Sequence, residues 1–300
     1  MFRRFILVAT ALLGACSPQD KAPAISPPRR ITVADSGLNT PESVVYDAAG
    51  DRYLVANING SPLEKDGNGF ISRVSTDGNI TEARWIAGGT NGVTLNAPKG
   101  MGVKGDTLFV ADIDVVRMFN RETGAPIGTR TVPGATMLND VAVGADGTVY
   151  FTDSGLKAGP NGFTDSGTDA VYRFDDKSKA VAIAKNKNLG RPNGVTADGD
   201  AVIVATFGTG EVYRLDVKSG ARTDLPKPPK GQLDGVEKIA DGSVLVSSWE
   251  GSAVYRLTDT TWTTAVDSVP SPADFGWDSK RTAVVIPIFT GNRIEIREVK

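Results

Sequence analysis

A six-bladed all-β propeller is the fold that this 300-residue sequence predicts, and three observations predict it. One unit recurs six times, opening at Pro41-Glu42-Ser43-Val44, Pro98-Lys99-Gly100-Met101, Leu138-Asn139-Asp140-Val141, Pro192-Asn193-Gly194-Val195, Leu233-Asp234-Gly235-Val236 and Pro272-Ala273-Asp274-Phe275. Each opening leads to a turn rich in Asp and Gly, then to a short apolar run such as Leu108-Phe109-Val110-Ala111 or Val202-Ile203-Val204-Ala205. A third segment then alternates apolar residues with Arg, as in Val171-Tyr172-Arg173 and Val254-Tyr255-Arg256. Runs this short, rich in β-branched and aromatic residues and broken by Gly/Asp turns, are strands. No stretch past residue 30 combines helical spacing with caps. A period of roughly 40–55 residues with three or four strands per unit is the signature of a propeller. Four-stranded blades packed radially also leave only short edges, which limits edge-to-edge association.

The elements follow in chain order. Residues 1–16 read as a leader: Arg3-Arg4 form a charged start, and Phe5 to Leu13 an apolar core too short to span a bilayer. The leader ends in Leu13-Gly14-Ala15-Cys16, which resembles a bacterial lipoprotein lipobox. That resemblance implies cleavage before Cys16 and acylation of its thiol and new amino terminus. Several acyl chains anchor firmly where one does not. By likeness to other lipoproteins, Ser17 directs the chain to the outer membrane, facing the periplasm. Residues 17–30, rich in Pro, Lys and Ala, read as a flexible tether. Membrane association is thus expected through the lipid alone.

Residues 31–300 are assigned to the propeller. The last copy ends after three strands, and the early segment Arg30-Ile31-Thr32-Val33-Ala34 is expected to supply its missing outer strand. Two copies carry insertions, at 59–69 and 154–170. Strand direction places both on the face where the innermost strands begin, and the Pro-rich linker 225–233 reaches the same face. These loops are candidate pocket walls, or tolerated surface insertions.

Composition narrows the chemistry. A net charge of −2 supplies no basic field for nucleic acid. The chain has no histidine, which excludes Ser-His-Asp triads and His-ligated zinc, and Cys16 is its only cysteine. The equivalent residue of each copy opens its innermost strand, so all six face one central channel. They are Glu42, Lys99, Asn139, Asn193, Asp234 and, in the last copy, Ala273 or its neighbour Asp274. Two carboxylates and two carboxamides suit a hard cation such as Ca²⁺, with waters completing its six to eight ligands. Asn-Gly and Asp-Gly pairs also mark ordinary turns. A purely structural role, however, would repeat one residue type around the ring.

The ordered set Pro41-Glu42-Ser43, Asn139-Asp140, Pro192-Asn193-Gly194 and Leu233-Asp234-Gly235 resembles the regucalcin (senescence marker protein)/gluconolactonase family of six-bladed propellers. The resemblance implies one divalent ion, often Ca²⁺, and hydrolysis of a lactone or small ester. Carried over residue by residue, Glu42, Asn193 and Asp234 are implied metal ligands, and Asn139 belongs to the metal or substrate site with Asp140 beside it. Asp234 or Asp140 is the expected base that deprotonates water. Lys99 departs from the family pattern. It would hold a substrate carboxylate or phosphate, act as a base, or take the cation's place by neutralising Glu42 and Asp234. The competing expectation is a tethered, non-catalytic propeller that binds a small ligand, a glycan or an envelope protein. Phe207, Trp249 and Phe289, at the ends of second strands, fit either case as packing residues or ligand contacts. No segment signals an oligomeric state.

Overall fold

The computed structural model describes residues 1–2, 29–34, 37–160 and 162–299; Cys16 and its lipobox lie outside the described residues. The repeat openings become the innermost strands of six four-stranded antiparallel blades around one channel. β1 (Arg30–Val33) precedes the first blade. Blade 1 is β2 (Pro41–Asp47), β3 (Arg52–Asn57), β4 (Phe70–Ser75) and β5 (Ile80–Ala87). Blade 2 is β6 (Pro98–Lys104), β7 (Thr107–Asp112), β8 (Val115–Asn120) and β9 (Pro126–Thr131). Blade 3 starts with β10 (Leu138–Val143) and β11 (Val149–Asp153). A separate hairpin, β12 (Leu156–Gly159) and β13 (Gly162–Asp165), interrupts it before β14 (Ala170–Phe174) and β15 (Ala180–Lys185). Blades 4 and 5 comprise β16 (Pro192–Asp198), β17 (Ala201–Thr206), β18 (Val212–Asp216) and β19 (Arg222–Asp224), then β20 (Leu233–Lys238), β21 (Val244–Ser248), β22 (Ala253–Thr258) and β23 (Thr261–Val266). Blade 6 has β24 (Gly276–Asp278) innermost, then β25 (Ala283–Ile288) and β26 (Arg293–Glu298).

β1 closes blade 6 from outside, pairing antiparallel with β26 from Arg30↔Arg297 to Val33↔Ile294. The ring also closes at the channel, where Val44 N–H donates to the Asp274 carbonyl and Asp274 N–H to the Glu42 carbonyl, both at 3.0 Å. The first and last blades are therefore joined at both inner and outer radius.

Sequence alternation explains the burial. Middle strands are buried on both sides, as in Ala201–Thr206, whereas outermost strands such as Pro126–Thr131 are mostly exposed. Each seam between neighbouring blades holds its own apolar cluster. Leu54, Ile71, Leu108 and Phe119 fill one, and Tyr53, Val55, Val285 and Ile294 fill the seam between last and first blades. Burial of each such side chain is worth about 1.5–3 kcal/mol, so every blade depends on both neighbours. No α-helix occurs among the described residues; the only helical elements there are single 3₁₀ turns at Lys187–Leu189 and Phe289–Gly291. No described helix is long and apolar enough to cross a membrane.

Candidate functional site at the channel mouth

The openings of the innermost strands are irregular for a reason the sequence shows only indirectly. In blades 1 to 5 the pairing register of the innermost strand slips across the ring position, between the residue before it and one or two residues after it. The slips fall between Pro41 and Ser43, Pro98 and Met101, Leu138 and Val141, Pro192 and Val195, and Leu233 and Val236. A β-bulge there releases the ring residue from regular pairing and re-aims its side chain. Glu42, Lys99, Asn139, Asn193 and Asp234 all lie in these bulges, and all line one cavity of about 340 Å³ at the channel mouth.

Hydroxyl groups hold the bulges. Thr152 Oγ1 accepts from Asp140 N–H at 3.0 Å and donates to the Asn193 carbonyl at 2.6 Å. Ser247 Oγ does the same between Gly235 N–H and the Ala273 carbonyl, at 2.8 and 3.0 Å. Gly194 must lack a side chain, because a Cβ there would collide with the Asp234 carbonyl of the next blade. The ring residues are thus fixed to one another through backbone as well as through packing.

Four buried oxygens face this mouth without any hydrogen-bond partner: Glu42 Oε2, Asn139 Oδ1, Asn193 Oδ1 and Asp234 Oδ1. An unsatisfied buried acceptor costs about 1–3 kcal/mol. Gathering four in one cavity is therefore a specific arrangement, not a packing accident. Two of them are actively oriented. Asn139 Nδ2 donates to Ser154 Oγ at 3.0 Å, which leaves Oδ1 turned to the cavity, and Trp249 Nε1 donates to Asp234 Oδ2 at 2.9 Å, which leaves Oδ1 open. Burial pushes the Asp234 carboxyl up to about 8 despite the Trp249 bond, with the Asp140 charge adding to the rise. Glu42 is also pushed well above the carboxylate range, by burial first and then by Asp234, while Lys99 opposes the rise. Two carboxyls held this high, beside two unpartnered carboxamide oxygens, form a donor set that a hard divalent cation would complete. Among the described residues no group of three His, Cys, Asp or Glu could hold a metal; here two of the four donors are carboxamides.

The remaining candidates behave differently. Asp140 lies deeper in the channel, where Oδ1 accepts from Val141 N–H at 2.6 Å and Oδ2 from Val195 N–H at 2.7 Å. Oδ1 is engaged within blade 3 and Oδ2 staples blade 3 to blade 4, so Asp140 makes the contacts of a strut at the position where a base is expected. Asp274 is likewise below the mouth, with Oδ2 accepting from Ser43 Oγ at 2.6 Å, and Ala273 carries no donor; blade 6 adds no oxygen to the ring. Lys99 is fully buried, and its Nζ donates to the Pro62 carbonyl at 2.9 Å and the Ala97 carbonyl at 3.1 Å. Among the described residues it makes no direct ion pair, and its charge acts on Glu42 through space rather than by contact. Burial pulls its ammonium down while Glu42 and Asp112 hold it up.

The insertion loops divide. Gly60 and Pro62 from 59–69, and Leu156 and Phe163 from the hairpin, line the cavity, but the linker 225–233 does not; its Pro226 carbonyl accepts from Trp262 Nε1 at 2.8 Å, and its Gly231 N–H donates to Glu250. Sequence reasoning named Trp249 only as a mouth aromatic and missed its bond to Asp234. It also missed Ser154, whose signal was a hydroxyl one residue beyond the second strand of the Asn139 copy.

The model of the SMP-30/Gluconolactonase/LRE-like region matches residues 40–275, from the opening of the first repeat into that of the last. This chain belongs to that family. Among solved structures, XC5397 from Xanthomonas campestris, described as a gluconolactonase important in glucose secondary metabolic pathways, is similar at 18% identity. That match covers 91% of this chain and 90% of that one, with a TM-score of 0.68. A luciferin-regenerating enzyme is 12% identical over 91% and 95% of the two chains, with a TM-score of 0.70. A streptogramin B lyase is 12% identical over 91% and 98%, with a TM-score of 0.63. At these identities the likeness establishes the six-bladed fold. No curated protein matches by sequence.

Proposed function

We propose that this family member is a divalent-cation-dependent hydrolase of a lactone or other small ester, with Ca²⁺ as the favoured ion. The observation that carries the reading is the set of four unpartnered buried oxygens on Glu42, Asn139, Asn193 and Asp234. These residues would hold the ion, and their hard oxygen donors match its preference. Bound there, the ion would supply a Lewis acid for the ester carbonyl and a counter-charge for the oxyanion.

The chain's own residues do the rest. Ser154 and Trp249 fix the planes of Asn139 and Asp234, so little reorganisation is needed when substrate arrives. Asp234 is the base, because its cavity-facing Oδ1 is held in place by the Trp249 bond to Oδ2 and its affinity for protons is raised into the neutral range; Glu42 is raised likewise but has no such orienting donor among the described residues. It takes a proton from the attacking water as the new carbon–oxygen bond forms. The ring or ester carbon–oxygen bond then breaks, and the proton passes to the departing alkoxide. Asp140 and Asp274 keep the channel strands in register, and Lys99 props the 59–69 loop through Pro62.

Asp234→Asn keeps the size and the Trp249 contact geometry while removing the base. Hydrolysis should fall at least 100-fold with the folded state retained, as read by circular dichroism and by turnover of a lactone panel. Retained turnover would remove Asp234 from the role. We further place the protein at the cell envelope, tethered through Cys16; the support is the leader and lipobox pattern of residues 1–16.

A further inference from the structure

The repeat that builds the oxygen ring builds a second ring above it. One residue beyond the second strand of each blade stand Ile58, Ile113, Ser154, Phe207, Trp249 and Phe289, apolar in five of six copies. In five blades the N–H of this residue donates to the carbonyl of the residue just before the repeat opening. The pairs are Ile58 to Thr40, Ser154 to Met137, Phe207 to Arg191, Trp249 to Gln232 and Phe289 to Ser271, at 2.9–3.1 Å. Four of these acceptors, all but Met137, adopt left-handed backbone conformations, with φ between 43° and 58°. None is glycine, and such strain persists only where the surrounding structure enforces it. The scaffold therefore holds these side chains at the rim of the oxygen ring by design of the repeat.

Their surfaces merge into one apolar wall. Phe207 and Trp249 meet edge-on with centroids 5.5 Å apart, and Trp249 and Phe289 lie 5.2 Å apart. The two insertions extend the wall with Pro62, Leu156 and Phe163, the last 52% exposed on its hairpin. The polar groups on this wall are already engaged. Ser154 Oγ donates to the Pro192 carbonyl while accepting from Asn139, and Arg191 Nε and Nη2 both reach Asp165 Oδ1, at 2.9 and 2.8 Å. Lys99 is held by two carbonyls.

We propose that the site takes lactones or esters that carry an apolar alkyl or aryl substituent, and discriminates against polyhydroxylated sugar lactones. The inference rests on the hydrolase reading above. The carbonyl end would meet the four-oxygen floor, and the substituent would lie along Phe207, Trp249, Phe289 and Phe163. With the floor oxygens taken up by the ion and the carbonyl end, a sugar lactone would instead lay its remaining hydroxyls against the hydrocarbon and ring faces of the wall, which is unfavourable for each hydroxyl left without a partner. An alkyl substituent gains with each methylene placed on the wall.

The test is a matched series of γ-hexalactone, γ-octalactone and γ-decalactone beside δ-gluconolactone, with the Ca²⁺-loaded protein. We expect kcat/KM to rise about fourfold per methylene until the wall is filled, with δ-gluconolactone below all three. Phe163→Asn, at a half-exposed hairpin position, should flatten the rise at the long end. Turnover that is abolished by Asp234→Asn but is flat across the series, or highest for δ-gluconolactone, would overturn the inference while leaving the hydrolase reading in place. If no compound turns over, the hydrolase reading has failed, and the same lactones become binding probes for calorimetry. Tightening of about fourfold per methylene would then support an apolar ligand site without chemistry, and equal or absent binding would overturn it.

Discussion

Trp249 connects the aromatic rim to the oxygen floor, which makes Trp249→Phe an informative perturbation. The substitution keeps a ring between Phe207 and Phe289 but deletes the Nε1–H that donates to Asp234 Oδ2 at 2.9 Å. A hydrogen bond to a charged group is worth about 1.5–3 kcal/mol, and one pKa unit corresponds to about 1.4 kcal/mol. Loss of this donor should therefore raise the Asp234 carboxyl by about one to two units above its already elevated value near 8. The sign is set by competition, since a protonated carboxyl must lose its proton before it can hold a cation. Cation binding is favoured above the pKa and lost as pH falls through it. The midpoint of the Ca²⁺-affinity profile should then move up by about one to two pH units, and affinity at pH 7 should fall about 10- to 100-fold. Near pH 10 the variant and the parent should converge. The assay is calorimetric Ca²⁺ titration from pH 6 to pH 10 in buffers of differing ionisation enthalpy, which also counts the protons released. A uniform loss at every pH would mean that Trp249 acts through packing alone. Coincident profiles would refute the coupling altogether.

Two further outcomes follow from the same geometry. Ser154→Ala removes the acceptor that fixes Asn139 Nδ2, so the carboxamide can rotate, and cation affinity should drop about tenfold with little change in melting temperature. Equal affinity in that variant would show that Asn139 needs no such support. For the envelope tether, Cys16→Ser in the full chain should abolish incorporation of labelled palmitate in a bacterial host and release the protein from the membrane fraction. Labelling that persists would contradict the lipobox reading.

The six blades were legible because the repeat writes each of them out. Pro-Asn-Gly-Val and Leu-Asp-Gly-Val announce the innermost strands, and apolar runs such as Val244 to Ser248 the second. Even the closure by Arg30–Val33 follows from a last copy one strand short. The ring oxygens were legible for the same reason, since equivalent positions of a propeller must converge on its axis. What the sequence hid were relations between copies. Asp140 looks like a free carboxylate beside Asn139, yet one oxygen accepts from Val141 N–H on its own strand and the other from Val195 N–H across a blade seam. Lys99 looks like a direct counter-ion in a ring of acids, yet its Nζ donates to the Pro62 carbonyl of a loop 37 residues earlier and acts on Glu42 only through space. The hairpin within 154–170 also escaped notice, because Leu156–Gly159 and Gly162–Asp165 are too short and polar to read as strands. Local pattern determined where each residue stands; only the assembled seams determined what it touches.

The central claim is that Glu42, Asn139, Asn193 and Asp234 together form a cation site. It is tested most directly by calorimetric Ca²⁺ titration of the chelator-treated protein, with Glu42→Gln alongside. Glutamine keeps an oxygen at that position and removes the charge. The account predicts one ion per chain, with binding weakened by at least 100-fold in Glu42→Gln while the fold persists. A folded parent that binds no divalent ion, or a Glu42→Gln protein that binds equally well, would contradict it.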